Sequence, residues 1–204
     1  MTAPTAVVWD VGHVLYDWDP RYLYAKLIPD PVELDWFLHN VVTRQWHFQA
    51  DAGRPIAAMV AELTAQFPDQ AERIAAYWPR WLETIPAPMP GMLDLVAELD
   101  AAKVPQFAIT NFGAEFWAMF RPTAPVFDAF CDIVVSGVEK VAKPDPAIYA
   151  LALARFGLAP GEGVFIDDRA DNVAAANTAG LIGHVFAGAA DTRTWLAAQG
   201  ILPA

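Results

Sequence analysis

The sequence predicts an α/β fold, with a Rossmann-like parallel sheet core and an inserted α-helical cap. Three observations carry that expectation. Short β-branched or apolar runs alternate with longer helical patterns, the signature of parallel strands joined by helical crossovers. The first run, Val7-Val8-Trp9, ends on a carboxylate, Asp10, where open α/β sheets gather their chemistry. About ninety residues then separate the first run from the second, far more than a single crossover needs.

The expected strands are Ala6–Trp9, Gln106–Ile109, Ile133–Ser136, Val164–Ile166 and Ile182–Phe186. Helical patterns fall near 91–102, 113–121, 145–156, 169–179 and 190–198. Residues 17–87 show helical patterns and no strand. Pro20 and Pro31 suit first helical turns, Pro55, Pro68 and Pro79 punctuate the remainder, and Ala87-Pro88-Met89-Pro90-Gly91 reads as a return linker. The expected division is a core of residues 1–16 and 88–204, with a cap of residues 17–87 over the sheet's C-terminal edge.

Composition narrows the classes of function. At 204 residues, 55% hydrophobic and 18% charged, with eight Trp and twelve Phe, the chain suits one globular unit with an insertion. A formal charge of −11 argues against nucleic acid and anionic membranes. A small anionic substrate stays open, since local donors and a metal ion override the global field.

Cys131 is the single cysteine, so no intrachain disulfide forms and a reducing compartment fits. Its apolar surroundings lead us to expect a buried small residue there. Met1-Thr2-Ala3-Pro4 lacks signal-peptide character, and Asn177, Thr178 and His184 break the apolar stretch near 173–190. The expected location is the cytoplasm. His39 and His184 read as incidental, and no His/Cys grouping has zinc-site spacing.

Four polar features stand at the ends of four expected strands: Asp10, Thr110-Asn111, Lys143 and Asp167-Asp168, with Asn172 near the last. Singly, each has a plain structural use as helix cap, turn former or solvated lysine. Together, parallel-sheet geometry brings them to one edge, where they supply a nucleophile, polar donors, a cation and two further carboxylates.

The set and its order resemble the haloacid dehalogenase superfamily of hydrolases over essentially the whole chain. The matching stretches are Val7-Val8-Trp9-Asp10, Ile109-Thr110-Asn111, Lys143-Pro144-Asp145-Pro146-Ala147-Ile148-Tyr149 and Phe165-Ile166-Asp167-Asp168-Arg169-Ala170-Asp171-Asn172. The helical insertion between the first two motifs resembles the family's cap. The closer resemblance is to the sugar-phosphatase branch that includes α-glucose-1-phosphate phosphatase. That branch also has Asp-x-Gly at the first motif and Asp-Asp-x-x-Asp-Asn at the fourth.

The resemblance implies a phosphatase in which Asp10 attacks phosphorus and carries an aspartyl-phosphate. It implies Mg²⁺ between the anions, held by Asp10, the Gly12 carbonyl and Asp168, with Asp167 close by. Thr110, Asn111 and the backbone N–H groups near Val11 and Gly12 are expected to hold the transferring oxygens, with Lys143 neutralising charge. Asn172 and Asp171 are expected to order the fourth loop.

Gly12 stands where the superfamily's usual phosphatases carry a second Asp for acid–base work. Such help is worth about two to four powers of ten. Three answers are open: a leaving group needing little protonation, such as an anomeric sugar oxygen; a neighbour, His13 or Asp17; or halide departure, as in the superfamily's 2-haloacid dehalogenases. Against the last, Gly12-His13-Val14 and Thr110-Asn111 differ from the dehalogenases' Tyr-Gly-Thr and Ser-Asn segments. A catalytically weak phosphate-binding protein is the non-enzyme alternative. Within the cap, Arg44, Trp46 and His47 are the residues expected to read the rest of the substrate.

Overall fold

The computed structural model describes residues 4–203. Five parallel strands form one sheet: β1 (Ala6–Trp9), β2 (Gln106–Thr110), β3 (Asp132–Val135), β4 (Gly163–Asp167) and β5 (Ile182–Val185). Their order is β3-β2-β1-β4-β5. The chain leaves β1 toward one edge and later crosses to the other side of it, which opens a crevice at the C-terminal end of β1. Asp10 is the next residue.

β1, β2 and β4 are buried throughout, as expected of a sheet covered on both faces. The two-residue period divides them between two cores. Ala6, Val8, Phe107, Ile109 and Phe165 face one core, with α9 (Pro146–Phe156) and α10 (Ala170–Ala179) packed there. Val7, Trp9, Ala108, Val164 and Ile166 face the other, beside α6 (Met92–Ala101), α7 (Ala114–Phe120) and α11 (Ala189–Ala198). Buried Gln106 accepts from Trp9 Nε1 at 3.1 Å and donates to the Val96 carbonyl at 3.0 Å, so neither polar group is orphaned.

Between β1 and α6 lie the helices α1 (Arg21–Tyr24), α2 (Pro31–Asn40), α3 (Arg44–Asp51), α4 (Ile56–Gln66) and α5 (Ala71–Ala76), with two 3₁₀ turns. Pro31 opens α2 behind the Asp30 cap, and the Thr43 hydroxyl caps α3 by accepting from Trp46 N at 3.0 Å. The insertion's buried side chains, Phe37, Met59, Ile74 and Tyr77 among them, belong to the same cluster as Val7 and Trp9. Glu115 on α7 accepts from Ile56 N at 2.9 Å and caps α4 across that boundary. A short helix, α8 (Ser136–Glu139), follows β3 and includes Ser136, which the sequence reading put in the strand.

Cys131 is a correction. It is exposed rather than buried, because it precedes β3, the outermost strand on its side of the sheet. Among the described residues no helix is long and apolar enough to cross a membrane.

Candidate active site

Asp10 is 8% exposed and bonded by its own turn, with Val11 N donating to Oδ1 at 2.7 Å. The loop closes tightly, since His13 N donates to the Tyr16 carbonyl and both Leu15 N and Tyr16 N donate to that of Val11. His13 takes a left-handed φ of 59° in this turn. Asp17 N donates to Ala87 O and Met89 N to Leu15 O, which tie the loop to the far end of the insertion.

Lys143 is fully buried at its side chain, its ammonium 2.8 Å from Asp10 Oδ1 and 2.7 Å from Asp167 Oδ2. Burial opposes its charge, but the two carboxylates together carry its pKa above the ordinary lysine value. Burial pushes the Asp10 carboxyl up to about 7, against the pull of Lys143 and helped by Asp167 and Asp168. Asp167 is answered three times: by Lys143, by Asn172 Nδ2 at 3.0 Å from both oxygens, and by Arg169 N at 2.8 Å. Asp168 is half-buried, its pKa raised first by burial and then by Asp167.

Carboxylate oxygens of Asp10, Asp167 and Asp168 lie within 4.8 Å of one another. Lys143 and Asn172 engage Asp167, so Asp10 and Asp168 carry the oxygens left for a cation. An all-oxygen donor set suits a hard ion.

A cavity of about 540 Å³ opens over this edge. Asp10, Val11, Gly12, His13, Asn111, Lys143, Asp168 and Asn172 line its sheet side. Arg44, Gln45, His47, Phe48 and Asp51 of α3 line it as well, with Tyr16, Trp18, Trp81 and Phe112. The sheet-edge residues expected from sequence therefore converge, with two differences. Thr110 is fully buried with its hydroxyl unpartnered, and Asn111 and Phe112, not Thr110, line the cavity. The Asn111 amide clamps the Lys143 backbone, accepting from its N–H at 2.8 Å and donating to its carbonyl at 2.9 Å. Asn111 thus fixes where Lys143 starts, and its side chain is already occupied.

Trp46 is a second correction. The helical period of α3 turns Arg44, His47, Phe48 and Asp51 toward the cavity, Trp46 into the insertion's core and Ala50 against Gly113. There the Trp46 ring packs 5.4 Å from Tyr77. His47 is buried between Trp18 and Phe116, at 4.7 and 5.3 Å, with Nδ1 2.8 Å from the Tyr77 hydroxyl. Burial pulls its pKa down to about 3, so the ring is neutral. Its 3.6 Å approach to Asp51 is therefore no ion pair. Asp17 accepts from the Tyr22 hydroxyl and is not among the cavity-lining residues.

Asp51 escaped the sequence reading. It is 7% exposed, lines the cavity, and its Oδ1 has no hydrogen-bond partner. The available signal was its place four residues after His47 and seven after Arg44, one face of α3.

Residues 5–180 match the family described as haloacid dehalogenase-like hydrolase. A sesquiterpene phosphatase of Aspergillus oryzae is 26% identical over 179 residues, covering 87% of each chain. A phosphorylated carbohydrates phosphatase of Thermotoga maritima is 24% identical over 177 residues, 86% of this chain and 82% of that one. Among solved structures, a HAD-family enzyme of Bacteroides thetaiotaomicron superposes with a TM-score of 0.73 at 20% identity, over 96% of this chain and 99% of that one. The same enzyme is known in complex with magnesium and inorganic phosphate. The L-2-haloacid dehalogenase of Xanthobacter autotrophicus superposes at a TM-score of 0.62 and 19% identity, over 98% and 85%. With the family match spanning most of the chain and the motifs assembled at one sheet edge, this protein belongs to the haloacid dehalogenase-like hydrolases.

Proposed function

We propose that the protein is a Mg²⁺-dependent phosphatase of the cytoplasm that hydrolyses a small phosphate monoester through an aspartyl-phosphate on Asp10. The observation that carries this reading is the pairing of Asp10 with buried Lys143 beside Asp168. Lys143 holds Asp10 Oδ1, which leaves the second oxygen to attack phosphorus. Its charge is in place before phosphate arrives, so stabilising the transferring oxygens needs little reorganisation. The Gly12 N–H is the backbone donor we assign to the transferring oxygens, since that of Val11 is engaged by Asp10 Oδ1.

Asp10 and Asp168 would hold Mg²⁺, aided by the Gly12 carbonyl, with Asp167 behind them fixing Lys143. Bound there, the cation supplies charge neutralisation between carboxylate and phosphoryl oxygens. Asn172 and Arg169 N hold Asp167 in the orientation that grips Lys143. Residues 17–87 serve as a cap: they carry the second wall of the cavity and limit water access to it.

A sugar phosphate is the substrate class we favour. The aromatic wall of Trp18, Trp81 and Phe112 beside polar Arg44 and Gln45 suits a ring with one apolar face and several hydroxyls. The Thermotoga relative's name points the same way, whereas the Aspergillus relative acts on an apolar ester by its name.

The test incubates the protein with sugar 1-phosphates, sugar 6-phosphates, a sesquiterpenyl phosphate and 2-chloropropionate, with and without Mg²⁺, following phosphate and chloride. Phosphate release that needs Mg²⁺ and is abolished in Asp10→Asn is the expected result. Chloride release without metal, and no phosphate from any ester, would overturn it in favour of a dehalogenase.

A further inference from the structure

Gly12 leaves the sheet edge without the second acid, and among the described residues outside its chain neighbours Val11 and His13 a Cβ on Gly12 would meet nothing within 4 Å. We infer that the proton donor and acceptor of this enzyme is Asp51, which α3 supplies to the same cavity. The inference rests on the phosphatase reading and names a residue that reading leaves out.

Geometry comes first. In phosphoryl transfer the attacking and leaving oxygens lie roughly in line across phosphorus. With Asp10 attacking from the strand end, the leaving oxygen points away from it, into the cavity that α3 also lines. Asp51 lines that cavity, and its Oδ1 is buried without a hydrogen-bond partner. A buried carboxyl oxygen left unsatisfied is costly, and an ester oxygen or a water in the cavity would answer it. The exposed acid groups of the insertion, Asp30 and Asp35 among them, line no part of this cavity.

The surroundings keep Asp51 able to work in both directions. The groups facing it are neutral His47 on its own helix, Tyr77 from the segment after α5, the Gly113 backbone N–H, and Lys143 from the loop before α9. Burial raises its carboxyl to about 7, against the Gly113 N–H and Lys143. An acid near that value gives and retrieves a proton at neutral pH.

The steps balance. As an Asp10 oxygen bonds to phosphorus, the bond from phosphorus to the ester oxygen breaks. Its electron pair goes to that oxygen, which takes the Asp51 proton and leaves as the alcohol. Water then occupies the leaving-group side. The Asp51 carboxylate takes a proton from it as its oxygen bonds to phosphorus. The bond to Asp10 breaks, Asp10 recovers its electron pair, and inorganic phosphate leaves with Asp51 protonated again.

The test measures kcat/KM, which reports the phosphorylation step, for alkyl and 4-nitrophenyl phosphates in the wild type, Asp10→Asn, Asp51→Asn, Gly12→Asp and the double variant Gly12→Asp/Asp51→Asn. Asp51→Asn should lose about 10²- to 10³-fold on alkyl esters and less than about threefold on the nitrophenyl ester, whose leaving group needs no proton. Gly12→Asp should return at least about tenfold to the alkyl activity of Asp51→Asn. Equal losses on both ester classes, or none on either, would overturn the assignment while Asp10→Asn still reports the phosphatase reading separately. No phosphate from the wild type overturns both.

Should Asp51→Asn not fold, the wild type alone decides. The ratio of alkyl to nitrophenyl kcat/KM, in which substrate ionisation largely cancels, should fall above about pH 7. A ratio flat from about pH 6 to 9 would exclude a titrating donor of this kind.

Discussion

The two walls of one cavity handle polar groups in opposite ways. On the sheet side, charge is dense and answered: Lys143 bridges Asp10 and Asp167, and Asp167 accepts from three donors. On the α3 side the buried groups have no counter-charge at contact distance: His47 is neutral, and Asp51, raised by burial to about 7 as Asp10 is, has one oxygen without a partner. The fold supplies the reason. Strand ends of a parallel sheet converge on one point, so opposite charges from distant positions meet at contact distance. A helix offers one face only, and α3 fills the rest of its surface with core packing. On the reading proposed above, the difference is a division of labour, with the attack and phosphate charge at the sheet edge and the leaving group's proton on α3.

The largest expected effect comes from removing the cation that organises the sheet side. Lys143→Met would leave Asp10 and Asp167 buried with their shared partner gone. Breaking a buried pair in this way costs about 3–5 kcal/mol, and losing a transition-state donor costs about 10²- to 10³-fold in kcat. Calorimetry should show a drop in Tm of roughly 10 °C, at about 2–4 °C per kcal/mol for a chain of this size. Unchanged Tm would mean that the sheet-edge charges are individually satisfied, and the contrast between the walls would fail.

The α3 wall should respond in the other direction. Asp51 ionises near 3.8 when unfolded and near 7 when folded. As pH rises between those values the unfolded chain gives up this proton while the folded chain keeps it, so the group lowers stability progressively and then by a constant amount above 7. At about 1.4 kcal/mol per pH unit, the penalty is at most about 4 kcal/mol. Asp51→Asn removes it. The Tm difference, variant minus wild type, should therefore grow from pH 4 to pH 8 by several degrees, while Asp10 contributes equally to both proteins and cancels. A difference independent of pH would show that Asp51 is not held protonated by the fold, and would erase the contrast in charge between the walls.

The sheet side was legible in the sequence and the α3 side was not. Asp10, Lys143 and Asp168 could be read because each follows an apolar run, and strand order alone brings them together. The strand ends moved by a residue or so: Asp167 still pairs with Val185 in the ladder, and Ser136 begins α8 instead of ending β3. Asn111 lines the cavity, but its amide is spent on the Lys143 backbone, a contact between residues 32 apart in sequence. On α3, Trp46 turns into the core and Asp51, which carried no expectation, lines the cavity. An aromatic residue looked like a substrate contact and Asp51 gave no signal of its own, yet the phase of the helix decides between them. That phase is set by packing on Tyr77 and Phe116, which lie about thirty and seventy residues further along.

The smallest expected effect separates specificity from chemistry on the α3 wall itself. Arg44 is exposed, lines the cavity and has no ion pair among the described residues, so its removal should cost stability no more than about 0.5 kcal/mol. If it contacts the non-reacting part of the substrate equally in the ground and transition states, Arg44→Ala raises KM and leaves kcat unchanged. For one exposed contact a three- to tenfold rise is expected, about 0.7–1.4 kcal/mol. The effect should appear with a sugar phosphate bearing hydroxyls and vanish with methyl phosphate, which is too short to reach the wall. An equal rise in KM for methyl phosphate would instead make Arg44 part of the phosphate's own electrostatic field. That result would extend charge handling onto the α3 side, and only Asp51 and His47 would then distinguish the two walls.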